Sequence, residues 1–274
     1  MNRSDAIELA LEVVAVARER RISVTAAGLA YHAFNTLVPL IILLLVGVTI
    51  VDALEPVIEA LETAGGAEAG ATRDELDRLT GDGGRSRLRA SIIALAIFAW
   101  SAVRLFQAVN SAFTGVYGTR KRQTFVGATS TLALIVATVV VGVTLVAGVG
   151  VALALFVDGV GASLLTPPLL IAALVVAFLP MYYFFPHADV SVREVLPGTL
   201  FAAVGWTILG LGFQLYVATS ESVDLFGLAG AVLILLTWVY LGGACLVIGA
   251  VLNAVLADRV EADEEWLPLG IPAE

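Results

Sequence analysis

The chain has 274 residues, of which 59% are hydrophobic and 14% charged, and its mean hydropathy is +0.95. That leaves too little polar surface to coat a soluble globule of this size, so lipid must be the solvent for most of the residues. The net charge of −9 argues against a phosphate backbone as partner, and no nucleic acid is expected.

Residues 1–24 form the first predicted element. Asp5, Glu8, Glu12 and Glu19 alternate there with Arg3, Arg18, Arg20 and Arg21, while Ile7, Leu9, Leu11, Val13, Val14 and Val16 supply apolar surface. The pattern suits an amphipathic helix lying along the membrane and does not read as a signal peptide, so the first span is expected to stay uncleaved.

A hydrocarbon layer of about 30 Å needs roughly 20 apolar residues per helix. The first stretch that meets this test runs from Ala26 to Val51 and is followed by a long loop, 52–89, with five arginines and nine acids. Leu54, Val57, Ile58 and Leu61, then Leu76 and Leu79, fall at helical spacing around a Gly65-Gly66 break. This spacing predicts two short amphipathic helices on the outer surface. The second stretch is Ala90 to Phe113 and the third Phe125 to Val157. At 33 residues the third must tilt, bend near Gly142, Gly148 and Gly150, or project into water. Pro167 to Phe185, Leu196 to Val217 and Phe226 to Ala257 complete the set, and an acidic tail, 258–274, closes the chain. The fold class is therefore an all-α polytopic membrane bundle with about six transmembrane helices occupying residues 25–257.

Basic residues set orientation. With the N-terminus inside, the inner segments hold Arg3, Arg18, Arg20, Arg21, Arg120, Lys121, Arg122, Arg193 and Arg259, and all five outer arginines lie in the one long loop. Both termini are thereby placed in the cytoplasm, and the protein in the cell membrane. The excess of carboxylates over a single lysine, Lys121, fits a salt-loving source, where hydrated carboxylates keep exposed surface soluble.

Polar side chains cost free energy in hydrocarbon unless they find partners, so the few present are guides to function. Thr25, Gly28, His32, Asn35, Thr36 and Pro39 share one side of the first span. Ser101, Arg104, Gln107 and Ser111 share a face of the second, with Asn110 at its edge. Gln214 lies in the fifth span and Asn253 in the sixth. In the proposed topology His32 lies about 9 Å from the inner end of its helix and Arg104 about 14 Å from Phe113. His32, Asn35, Arg104, Gln107, Asn110 and Asn253 are thus expected to line a polar cavity open to the cytoplasm, with Gln214 a secondary candidate. The cavity would receive an anionic or zwitterionic group, a small solute or a lipid headgroup, beside Arg104. The competing reading is structural: Arg104 reaches inner water or pairs with Asp189, Glu194 or Asp258, and the amides bond helices together.

Small residues at helical spacing, such as Gly249 with Asn253 and Ala250 with Ala254, allow close helix approach, and a homo-oligomer is compatible with them. Tyr182, Tyr183, Trp206, Trp238 and Tyr240 read as belts and packing. Cys245 is a lone cysteine inside a span, His187 has no companion ligands, and neither a metal site nor a cofactor motif is indicated.

Several segments in this order resemble the YihY/BrkB family of six-helix inner-membrane proteins, once labelled ribonuclease BN. They are AAGLAYHAFNTLVPLIILLL (Ala26 to Leu45), AVNSAFTGVYG (Ala108 to Gly118), the basic run Arg120 to Arg122, FLPMYYFFPHADVSVREVLPGTL (Phe178 to Leu200) and FGLAGAVLILLTWVYLGGACLVIGAVLNAVL (Phe226 to Leu256). The family-like positions include Ala30, Tyr31, Pro39, Asn110, Pro197, Gly198, Trp206, Tyr216, Trp238, Tyr240, Gly249, Ala250 and Asn253. Phe226 stands where a Tyr usually precedes Gly, and Val251 where an acid commonly follows Gly-Ala. The resemblance implies a six-helix membrane fold without a settled activity, and it does not imply a ribonuclease. Short inner loops without an acid or His cluster likewise argue against an enzyme. The functional expectation is a transporter-like or lipid- or solute-handling membrane protein. The alternative is a structural or regulatory membrane component without transport.

Overall fold

The computed structural model describes residues 3–50, 84–119, 144, 148, 160–219, 222–263 and 266. Among these the regular elements are helices: α1 (Arg3–Glu19), α2 (Ile22–Ile50), α3 (Gly84–Tyr117), α4 (Val160–Phe184), α5 (Val192–Thr219) and α6 (Ser222–Leu256). Five carry stretches long and apolar enough to cross a bilayer: Ile22–Leu43, Ile92–Tyr117, Leu165–Phe184, Val192–Tyr216 and Val232–Leu256. They overlap five of the six expected spans. The expected third span, Phe125 to Val157, lies outside the described residues but for Thr144 and Gly148, as do the expected outer helices between Asp52 and Gly83. Helix α3 begins at Gly84, inside the expected loop, because no proline or glycine interrupts the run from Arg85 to the span, so Arg85, Arg87 and Arg89 ride on its first turns.

The chain divides into two compact units, Tyr31–Leu105 on one side and Met1–Ala30 with Phe106–Glu274 on the other. In the larger unit α5 packs most extensively on α6, α4 packs on α5, and α1 packs on α6. Val13, Ala15 and Val16 of α1 are buried, so the inward face of this amphipathic helix covers protein, while Ile7 and Val14 stay exposed. The buried core gathers Val16, Phe113, Val116, Tyr182, Phe185, Val195, Ala202, Val247, Val251 and Val255. These belong to α1, the C-terminal parts of α3, α4 and α6, the turn just after α4 (Phe185) and the N-terminal part of α5, so the densest packing lies at one end of the helices. By contrast Ile208, Leu211, Leu215 and Leu233 are exposed, as expected of lipid-facing turns.

Local chemistry fixes these ends. Gly118 takes φ +65° after α3, and Thr119 N–H donates to Thr114 C=O at 3.1 Å. After α6, Asp258 takes φ +51°, its N–H donates to Val255 C=O and Arg259 N–H to Ala254 C=O, at 3.0 and 2.9 Å. Both are Schellman-type stops that satisfy carbonyls a helix end leaves free. Helix α5 starts with a capping box: Ser191 Oγ accepts from Glu194 N–H and Glu194 Oε2 from Ser191 N–H, each at 3.3 Å.

Candidate functional site

The C-terminal half of α6 lies antiparallel against the N-terminal half of α5, and small residues make the approach possible. A Cβ on Gly198 would come within 1.9 Å of Gly249 O, and one on Gly249 within 2.5 Å of Gly198 O and 2.4 Å of Tyr182 Oη. Backbone therefore touches backbone at this crossing. Asn253 is fully buried there; its Oδ1 accepts from Gly198 N–H at 2.6 Å and its Nδ2 donates to Val195 C=O at 2.9 Å. Thr199 Oγ1 also donates to Val195 C=O, at 2.7 Å. From α4 the fully buried Tyr182 donates to Leu246 C=O at 2.6 Å, and one turn or more along, Trp206 Nε1 donates to Gly242 C=O at 3.0 Å. Trp206 also meets Phe178 and Trp238 edge-on, with ring centroids 5.6 and 5.3 Å apart.

Arg259 closes this end. Its Nε and Nη2 both donate to the Glu194 carboxylate, and Nη2 also donates to Asp189 C=O at 2.7 Å. The hydrogen bond to Glu194 raises the pKa of the guanidinium above its ordinary value. Glu194 is thereby committed to Arg259 and to the α5 cap. On the tail side, Asp263 N–H donates to Glu19 Oε2 at 3.1 Å. The Glu12 carboxyl sits above the ordinary carboxylate range because it is partly buried and faces Glu261 and Asp258.

The expected site residues divide between the two units: His32, Asn35 and Arg104 fall in the smaller, Gln107, Asn110 and Asn253 in the larger. Asn253 directs its amide to α5. Half-buried His32 meets Tyr31 edge-on at 5.3 Å, and its carbonyl accepts from Thr36 Oγ1 at 2.8 Å. Asn35 is half-buried, and Pro39, four residues on, has no N–H to give its carbonyl. Gln214 is exposed on α5. Asn110 Oδ1 and Tyr117 Oη, two turns apart on α3, are buried without a hydrogen-bond partner. Tyr117 was missed by sequence reasoning, although its seven-residue spacing from Asn110 was the available signal.

The remaining candidates line one exposed face of α3. Trp100, Arg104, Gln107 and Ser111 succeed one another at helical spacing and are all exposed, whereas Ser101 is buried. Arg104 stands about 18 Å along the helix from Ile92 and about 20 Å from Tyr117, the two ends of its span, which is nearer mid-span than its expected depth. Its guanidinium lies 5.0 Å from the centroid of the Trp100 ring. Among the described residues no carboxylate pairs with it. An arginine at the middle of a membrane helix costs about 2.5–3.5 kcal/mol on insertion scales, so a polar face at this depth needs a polar partner.

Apolar helices of this length, with backbone groups paired internally and the few polar side chains set between or along them, define a polytopic helical membrane protein. The model of the family described as virulence factor BrkB matches residues 13–268, and the chain belongs to that family. The Bacillus subtilis (strain 168) protein YfkH, whose name calls it ribonuclease-like, is 33% identical over 93 residues, which is 34% of each chain. A UPF0761 membrane protein of Pseudoalteromonas translucida is 31% identical over 98 residues, 33% of each chain. Another, from an Azoarcus species, is 28% identical over 184 residues, 63% of this chain and 44% of its own. The matched regions thus span between a third and less than half of these relatives' lengths. No solved structure matches the chain. Of the family-like positions, Gly198, Trp206, Trp238, Gly249 and Asn253 join α5 to α6. Val251, in place of the acid expected after Gly-Ala, is fully buried in the same core.

Proposed function

We propose that the protein is a transporter-like membrane protein that handles a lipid or small solute, lying in the cell membrane with both termini in the cytoplasm. The observation that carries this reading is the exposed polar face of α3. Arg104, Gln107 and Ser111 lead from mid-span toward the helix end, and none makes a side-chain hydrogen bond among the described residues. In hydrocarbon such a face is stable only against water or a polar ligand, which is what a substrate path supplies. The arginine distribution supports the orientation, because the Tyr117 end of α3 adjoins the basic run at Arg120. The reading includes no chemical step and no cofactor; its partners are membrane lipids, a headgroup or solute, and a second copy of the chain.

Reconstituted vesicles carrying a trace of fluorescent phospholipid test it. The expected result is exchange of the labelled lipid between leaflets, or release of a trapped anion, faster than in protein-free vesicles. Rates equal to protein-free vesicles for both would overturn the reading. The second reading, a structural or regulatory component, is favoured by Asn253, whose buried amide hydrogen-bonds Gly198 and Val195 of α5.

A further inference from the structure

Arg104 has no counter-charge that this chain supplies within the membrane. None of the apolar stretches 26–51, 90–113, 125–157, 167–185, 196–217 and 226–257 contains an Asp or a Glu, and Arg104 is the one Lys or Arg in them. Glu194, at the start of α5, is held by Arg259. A second copy of the chain would bring the same acid-free spans and another Arg104, so it would not neutralise the first. What meets the guanidinium at this depth is therefore water or a different molecule that carries the counter-charge.

The side chains beside Arg104 indicate which. Ile93, Ile97 and Trp100 share its face of α3 and are 59%, 50% and 65% exposed. A free inorganic anion gains nothing from this apolar surface, whereas acyl chains do. A guanidinium matches phosphate through two parallel hydrogen bonds, and the Trp100 face steadies it from the other side. We propose that Arg104 and Trp100 form a binding site for the phosphate of an anionic phospholipid whose acyl chains lie along Ile97 and Ile93. The site deepens the lipid arm of the proposed function, on which it rests, by naming a substrate class. A phosphate held at mid-span belongs to a headgroup in passage between leaflets, and Gln107 and Ser111 continue the polar path toward one of them.

Binding of phosphatidylglycerol and phosphatidylcholine to the purified full chain in detergent tests the site, with melting temperature checking the fold. The wild type is expected to prefer phosphatidylglycerol by about tenfold; Arg104→Gln should lose that preference and Arg104→Lys, which keeps the charge but not the paired hydrogen bonds, should keep only part of it. An unchanged preference in folded Arg104→Gln would overturn the proposal. So would displacement of the lipid by millimolar inorganic phosphate, which would assign the site to a free anion. If Arg104→Gln does not fold, quenching by brominated lipids decides. The fluorescence of Trp100, taken as wild type minus Trp100→Phe, should be quenched more by brominated phosphatidylglycerol than by brominated phosphatidylcholine, and equal quenching would overturn the site. Vesicle exchange reads the proposed function separately. Binding through Arg104 without lipid exchange keeps the site and sinks the transport reading, and exchange with unchanged Arg104→Gln binding does the reverse.

Discussion

At the residue scale, Asn253 shows how one buried amide is committed. Asn253→Ala removes the side-chain acceptor of Gly198 N–H and a donor from Val195 C=O, and it should lower stability by about 1–2 kcal/mol, measured by thermal unfolding in detergent. Gly198→Ala should cost at least as much, about 1–3 kcal/mol, because its methyl meets Gly249 backbone that has nowhere to go. Gly210→Ala, with nothing within 4 Å of the new methyl, is the control and should be neutral or slightly stabilising. Glu12 gives a pH prediction. Its pKa is raised in the folded protein from the ordinary 4.5, so the charged form is disfavoured there. That cost is present above the raised pKa and is relieved as pH falls toward 4.5. Glu12→Gln should therefore raise the melting temperature near neutral pH and lose the advantage in acid. The sequence showed that Gly249 and Asn253 share a helix face suited to close packing, but Gly198 lies 55 residues from Asn253. Spacing along one helix carries no information about which backbone group on another will meet it. Hence Asn253 reads from sequence as a cavity group although its hydrogen bonds are internal.

At the element scale, α5 combines three signals near its start. Ser191 and Glu194 cap it, Pro197 leaves Arg193 C=O without its helical donor, and Arg259 from the end of α6 grips Glu194. Ser191→Ala should lower stability by about 1 kcal/mol, read by the same unfolding measurement, since it removes one half of the cap. Substituting Arg259 alone should cost less, because a partly exposed pair of this kind contributes about 0–1 kcal/mol. The cap was legible as Ser-x-x-Glu, and the spans were legible as apolar runs, because both are set by neighbouring residues in one stretch of chain. The early start of α3 at Gly84 was not. Its first turns are charged and resemble a loop by composition, yet nothing in them breaks a helix. The face of α3 bearing Arg104 was legible in outline, with Trp100 in the place assigned to Ser101, because a 100° step resolves a face only to within one residue.

At the scale of the whole molecule, the expected arrangement places both ends of the chain on one side of the membrane. In a Cys245→Ala background, single cysteines at Asp5 and Glu261 should both react with an impermeant maleimide only after the cell membrane is opened. Reaction of one but not the other in intact cells would reject the topology. Composition alone made the solvent of this protein evident, whereas the uneven distribution of packing did not follow from it, since every span is mostly apolar along its whole length. The backbone crossing at Gly198 and Gly249 turns that unevenness into a mechanical property. That crossing brings backbone against backbone, while farther along the pair Trp206 and Phe213 meet Trp238 through their rings, so amide deuteration should be slowest around 195–203 and 246–255 and faster toward 208–216 and 232–238. If the ring-packed arms yield before the crossing does, membrane thickness acts on them first, and deuteration at 208–216 and 232–238 should change with lipid chain length while 195–203 and 246–255 stay slow.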